Sequence, residues 1–322
     1  IFFPSDLTSL TVSGPDNRTY WLMLLVRSDA IQNFKFIYYV AVSFEVIALF
    51  MGYTLHIRGF VLFCKTRLIH SNFLIISGGT YAVMIVGTIG RLITIPYEMN
   101  IIQFAGLYEP HILFLAILRQ GSYAQALSLL WVWTIERACA TIYVSDYEKN
   151  KRIYLSIIFN ATSIICSYLV GYALVTRVFN GMIIIGVAFV SNISCALAFR
   201  ILGRYNSKHL ARLTHQLKRY PDEYSLSLRL QLKENISTMK KIEFGVYSYT
   251  VILAVDLLLI FVPFISLTSP NQFETLQWFT CISNLAVALQ DLLNQTVTHF
   301  HLSQVYLVYV SFIGDGDCHS YE

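Results

Sequence analysis

Seven stretches of mainly apolar residues constrain this chain more than any other feature. They run near 36–57, 72–95, 112–135, 153–176, 181–203, 244–267 and 276–297. A helix of about 20 such residues crosses the ~30 Å hydrocarbon core of a bilayer. It also satisfies its own backbone hydrogen bonds where no water is present. The sixth and seventh stretches have the clearest apolar runs, whereas Arg119, Gln120 and Gln125 interrupt the third. Six of the seven contain a single Asp, Glu, Lys or Arg, and the fourth contains none. With 56% of residues apolar and 13% charged, against about 25% charged in an average soluble domain, a water-facing sphere cannot hide the apolar excess. The expected fold is therefore all-α, a polytopic bundle of seven transmembrane helices in the lipid bilayer. Residues 1–35 would form an extracellular N-terminal segment, 36–297 the membrane domain and 298–322 a cytoplasmic tail.

Lys and Arg concentrate on the cytoplasmic side of membrane proteins. With the N-terminus outside, the three inner loops hold sixteen basic residues and the outer segments only four: Arg18, Arg27, Lys35 and Arg177. Arg91, Arg119 and Arg200 fall inside spans, the last close enough to its inner end to snorkel. Residues 298–322 contain no Lys or Arg, which does not reinforce the bias. The first residues lack a basic stretch followed by an apolar core, so no cleavable signal peptide is expected. The absence of an initiator Met is consistent with a processed or incomplete N-terminus. Asn17 begins an Asn-Arg-Thr glycosylation sequon in the outer segment. The sequons at Asn160, Asn192, Asn235 and Asn294 fall in spans or on the inner side and should be unused.

No HExxH, P-loop, GxSxG or GxGxxG pattern appears, so an enzyme is not expected. The six cysteines are scattered and form no CxxC pair, which suggests neither a metal site nor a disulfide framework. No cofactor and no nucleic-acid partner is expected, and the net charge of +4 says little by itself.

Charges within spans are costly, at least ~2.5–3.5 kcal/mol on insertion scales, and usually face the bundle interior. Glu45, Arg91 and Arg119 all fall in the outer third, where they can pair with one another or receive a ligand. Tyr97 and Tyr108 stand near the same outer mouth and complete the set of ligand-binding candidates. Asp256 lies near the middle of the sixth span and Asp291 in the inner half of the seventh. An aspartyl protease needs two carboxylates sharing a proton at one depth; these differ in depth and lack a Gly-x-Gly-Asp signature. A transporter or ion channel using Asp256 and Asp291 remains as the alternative function. Gly78, Gly79, Gly87 and Gly90 in the second span permit close helix packing. Pro263 removes a backbone hydrogen bond in the sixth span and predicts a kink there.

The longest polar segment, 204–241, reads as a helical extension of the fifth span, then Pro221, then an amphipathic helix entering the sixth. It is either a solvated basic loop beside anionic lipid or a docking surface for a cytoplasmic partner.

Two inner stretches carry a resemblance. The third span closes in Ile135-Glu136-Arg137-Ala138-Cys139-Ala140-Thr141, followed by Asp146-Tyr147-Glu148-Lys149. Before the sixth span stands Leu226-Ser227-Leu228-Arg229-Leu230-Gln231-Leu232-Lys233-Glu234-Asn235. Together they resemble nematode serpentine chemoreceptors of class epsilon (Sre) in the Sra-like group, with class alpha as the nearest alternative. The resemblance implies a chemosensory receptor of the plasma membrane, in sensory neurons and their cilia. Such a receptor binds an external small molecule and signals through a heterotrimeric G protein. It also implies coupling roles for Glu136, Arg137, Tyr147, Lys149 and Arg229. Relative to rhodopsin-like receptors, the sixth span lacks Cys-Trp-x-Pro, and the seventh reads Asn284-Leu285-Ala286-Val287-Ala288 in place of Asn-Pro-x-x-Tyr.

Overall fold

A computed structural model describes residues 11–13, 19–21, 26, 35–65, 71–103, 109–143, 153–179 and 181–219, with further positions between 229 and 258 and between 275 and 296. Five long helices occupy the middle of the chain: α1 Lys35–Lys65, α2 Ser71–Glu98, α3 Pro110–Ile142, α4 Ile153–Val175 and α5 Gly181–Arg219. Every described position from 229 to 258 is helical, as is every one from 275 to 296; these positions are called α6 and α7. Tyr108, Tyr147, Lys149, Asn17, Asp256, Pro221 and Pro263 lie outside the described residues.

Before α1, β1 (Thr11–Ser13) pairs antiparallel with β2 (Thr19–Trp21), Val12 opposite Tyr20. Their β-branched and aromatic residues suit strands. The period-3.6 and 20-residue patterns that reveal membrane helices carry no signal for so short a hairpin, and it was not anticipated. β2 touches α4.

The helix faces run inside-out relative to a soluble protein. Ile165, Leu169, Ile183, Val187 and Ile201 are each at least 60% exposed, whereas Glu45, Arg91, Gln125 and Glu136 are buried. Water would not tolerate that arrangement, but lipid covers it at no cost. Four helical stretches, Lys35–Val61, Ile75–Glu98, Ile153–Val175 and Ile183–His215, are long and apolar enough to cross a membrane.

Helix α3 is the hub. It packs most extensively on α4 and α2, and also meets α5. Its buried residues, from Ile112 to Thr141, point in all directions around the axis. The polar residues that interrupt its sequence therefore face other helices: Gln125 Oε1 accepts from Ser163 and Ser167 of α4 at 3.1 and 3.0 Å, and Ser122 donates to the Val83 carbonyl of α2 at 3.1 Å.

Close approach depends on missing side chains at particular points. A Cβ on Gly87 would sit 2.5 Å from Ser122, and one on Gly171 would sit 2.6 Å from the backbone nitrogen of Gly121. Gly90, expected to serve the same purpose, has its nearest atom at 3.8 Å and is not needed for packing. The Gly121–Gly171 contact joins two helices whose small residues show no joint pattern in the sequence. Gly171→Ala must push α3 from α4, and is expected to cost about 1–3 kcal/mol. Gly90→Ala should be neutral or slightly stabilising, given alanine's better helix propensity. Thermal unfolding of the purified pair in detergent separates the two; equal melting temperatures would contradict this packing.

Two helix ends differ from expectation. α2 continues past 95 to Glu98 through Pro96, and terminates where Asn100 adopts φ 57°. α3 continues past the expected bound at 135 to Ile142, and Glu136 and Arg137, read as the close of the third helix, are helical and buried. The anticipated extension of α5 is observed, since the helix runs on to Arg219.

Candidate functional site

Two polar centres lie at different levels of the bundle. The first is near the face at which α1 begins, called here the amino-terminal face. Arg91 of α2 donates from Nε and Nη2 to the two carboxylate oxygens of Glu45 on α1, at 2.6 and 2.9 Å. Its Nη1 donates to Glu98 Oε1 at 2.6 Å. Arg91 and Glu98 are seven residues apart, two turns along one helix face. The planar fork of the guanidinium suits two carboxylates at once. All three side chains are buried. The backbone N–H of Val26, itself buried, donates to the same Glu98 oxygen at 3.1 Å.

Arg119 of α3 was grouped with Glu45 and Arg91 by depth, but its described hydrogen bond goes elsewhere. Its Nη2 donates to Asn284 Oδ1 of α7 at 2.8 Å, and the guanidinium lies 5.9 Å from the Tyr123 ring centroid. Tyr97 packs on His111, with ring centroids 5.4 Å apart, and against Ile112 and Val175. It does not line the cavity described next.

A cavity of about 70 Å³ runs between α1, α2, α3 and α7. Glu45, Arg91 and Arg119 line it, together with Ser122, Tyr123 and Asn284, and Asp291 lines its far end. Asp291 is held there by His56 of α1, whose Nε2 is 3.2 and 3.0 Å from the two carboxylate oxygens. Tyr81 stacks edge-on against the imidazole at 5.5 Å.

Sequence reasoning missed Glu98, His56 and Asn284. Each had a periodic signal: Glu98 is seven residues after Arg91, Asn284 seven before Asp291, and His56 eleven after Glu45, all on shared helix faces. Ending the second span at 95 removed Glu98 from consideration.

The second centre is at the opposite face. Glu136 accepts from both Nε and Nη2 of its neighbour Arg137 in a bidentate pair. Arg137 Nη1 also donates to Asn235 Oδ1 of α6 at 3.2 Å. Asn235 Nδ2 and Asn206 Nδ2 of α5 both donate to Thr141 Oγ1, at 3.1 and 2.9 Å, and that hydroxyl donates to the Arg137 carbonyl at 2.9 Å. Residues of three helices thus close on one arginine. Arg229 is helical and half-buried. Asn160, Asn192 and Asn235, three of the inner or intramembrane sequons, have buried side chains.

A Glu-Arg pair thus stands at the end of the third helix, tied to the sixth through Asn235 and to the fifth through Thr141 and Asn206. A family model described as Sre G protein-coupled chemoreceptor matches residues 17–305. The chain belongs to the Sre family. Among similar proteins of Caenorhabditis elegans, serpentine receptor class epsilon-38 is 23% identical over 248 residues, 70% of this chain and 67% of the relative. Serpentine receptor class epsilon-27 is 25% identical over 248 residues, 63% of each chain. Serpentine receptor class epsilon-30 is 25% identical over 216 residues, 59% of this chain and 58% of the relative. The alignments thus span about two thirds or less of the relatives' own lengths. Family membership makes the bundle one of seven transmembrane helices and the protein a chemoreceptor of the membrane.

Proposed function

We propose that this Sre receptor binds an external small molecule in the α1–α2–α3–α7 cavity and signals through a heterotrimeric G protein at the Glu136–Arg137 face. In this reading the amino-terminal face is extracellular, which the sixteen-to-four distribution of basic residues supports. The receptor then resides in the plasma membrane of sensory neurons, including their cilia, with Asn17 glycosylated. Its family describes receptors, and no enzymatic role is assigned to it.

The observation that carries this reading is the closure of α3, α5 and α6 on Arg137. A cation buried against its own neighbour Glu136 and Asn235 can exchange those contacts for contacts to a docking protein once the helices separate. A ligand drives that separation only by binding the open arrangement more tightly than the closed one. Tyr147, Lys149 and Arg229 extend the same coupling surface.

Arg137→Ala should lower stimulated nucleotide exchange on a co-expressed G protein by at least ~30-fold, as removal of a buried charge partner costs ~2 kcal/mol or more. Glu136→Gln, which keeps the side-chain shape, should leave surface expression intact and raise unstimulated exchange. Exchange that is unchanged in both variants at normal surface levels would remove the coupling role.

A further inference from the structure

Helix α5 is longer than a bilayer is thick, and its outward face changes chemistry where the hydrocarbon ends. Its 39 residues extend about 58 Å, against a hydrocarbon core of ~30 Å. Ile183, Val190, Leu197 and Ile201 follow one arc of the helix, and each is more than half exposed. From Ile183 to Ile201 is about 27 Å along the axis, close to the full depth of the acyl chains. Beyond Ile201 the same arc carries Arg204, Lys208 and Arg212, all exposed. The exposed Tyr205 ring stands beside them, at the height where aromatic residues mark the membrane interface. Steps of four residues put the three cations within about 80° of arc, each on the order of 6 Å above the last. No Asp or Glu occurs anywhere in α5. Glu243 of α6, also exposed, bears with Arg200 and Arg204 on the Tyr247 hydroxyl. Among the described residues no carboxylate forms an ion pair with Arg204, Lys208 or Arg212, and Glu243 alone does not neutralise them.

We infer that Arg204, Lys208 and Arg212 form a binding site for a phospholipid whose inositol head carries additional phosphates, in the leaflet where α5 emerges. With the orientation proposed above, that leaflet is the cytoplasmic one, where anionic lipids reside. The occupant is lipid and not the coupling protein because of the side on which the stripe stands. Asn206, buried and bonded to Thr141 in the Arg137 centre, faces the bundle. Arg204 and Lys208 lie two residues either side of it, about 160° round the helix. They continue the arc on which Leu197 and Ile201 meet acyl chains. Height decides the kind of head group. Arg204 is about 4 Å beyond Ile201, within a head-group layer of ~5–8 Å, whereas Lys208 and Arg212 are about 10 and 16 Å beyond it. Phosphatidylserine holds its charge within that layer and meets mainly Arg204. Ring phosphates stand above it, and the Lys208 and Arg212 side chains lean back toward the bilayer to meet them, as helical side chains tilt toward the N-terminus. The two guanidinium forks suit phosphate oxygens, with the lysine between them as a point charge.

The test uses the full-length receptor in phosphatidylcholine nanodiscs, with empty nanodiscs as the blank. Dioctanoyl phosphatidylinositol bisphosphate, dioctanoyl phosphatidylserine and soluble inositol trisphosphate are titrated by calorimetry and thermal shift. The bisphosphate lipid should bind saturably, about 10- to 30-fold more tightly than phosphatidylserine, from two further cations at about fivefold each. Arg204→Gln, Lys208→Gln and Arg212→Gln should each weaken it about fivefold, and all three together on the order of 100-fold. Arg58→Gln, at an exposed cation of α1 away from the stripe, should change it by less than about twofold. Should the triple variant fail to fold, the lipid comparison on the unaltered receptor still decides. Phosphatidylserine binding as tightly as the bisphosphate lipid would overturn the inference, as would an equal loss in Arg58→Gln. Inositol trisphosphate binding as tightly as the lipid would show a site for a free anion and overturn it too. So would a fall in stimulated nucleotide exchange by the triple variant in nanodiscs of phosphatidylcholine alone, since the stripe would then serve the docking protein. Nanodiscs present lipid on both faces, so a failure to bind counts against the stripe and leaves the orientation and the receptor reading untouched.

Discussion

Replacing Arg91 with alanine is expected to remove most of the protein from the cell surface. The guanidinium is the shared partner of Glu45 and Glu98, at 2.6 Å from an oxygen of each, and all three residues are at most 4% exposed. Its loss leaves two buried carboxylates without the guanidinium that hydrogen-bonds both. Breaking a buried pair by deleting one partner costs about 3–5 kcal/mol; whole proteins are stable by only ~5–15 kcal/mol. Arg91→Lys keeps the charge but not the fork, since a single ammonium cannot serve Glu45 bidentately and still reach Glu98. It should fall between the two. Replacing the whole cluster, Glu45→Gln with Arg91→Met and Glu98→Gln, should recover much of what the single change loses, because no charge is then left unpaired. Flow cytometry of an amino-terminal epitope, with thermal unfolding of the purified variants, measures the order. Arg91→Ala at unaltered surface level and melting temperature would show that the cluster contributes nothing to stability.

Asn235→Ala should switch the receptor partly on without any ligand. The Asn235 side chain makes both described links from α6 to the α3 end, accepting from Arg137 and donating to Thr141. Truncation removes both, at about 1–1.5 kcal/mol for a neutral bond and ~1.5–3 for the charged one. If the closed arrangement is favoured by a few kcal/mol, unstimulated signalling should rise by roughly 10- to 100-fold. Thr141→Ala should raise it less, as the Arg137–Asn235 bond remains. The double variant should fall short of the sum, because both changes act through one shared hydroxyl. Basal exchange measured against surface level is the readout. A fall in Asn235→Ala, rather than a rise, would mean that Asn235 supports the active arrangement.

Much of the site was legible in the linear pattern, because lipid makes charges within an apolar run conspicuous. Glu45, Arg91 and Arg119 stood out for that reason, as did Asp291. Glu136 and Arg137 stood out through their place in a motif at the close of the third span. Their burial depends on α3 continuing as a helix to Ile142 and meeting α5 and α6. Glu98 and His56 escaped notice for opposite reasons. Glu98 sits just beyond Pro96 at what reads as a span boundary, and His56 is not one of the Asp, Glu, Lys and Arg residues whose presence marks a cost in an apolar run.

What the linear chain determines here is the solvent: runs of apolar residues too long for a soluble core demand lipid, and lipid demands helices that satisfy their own backbones. Membership of a family of seven-helix chemoreceptors follows from the same string of residues. Only the tertiary structure decided which intramembrane charges are partners. Arg91 takes both carboxylates, Arg119 turns to Asn284, and Asp291 to His56. Helical period assigns each residue to a face of its own helix. Which other helix that face meets, and at what height, depends on contacts such as Gly121 on Gly171 and Ser122 on Gly87, where the absence of a side chain on one helix sets how near the next can come.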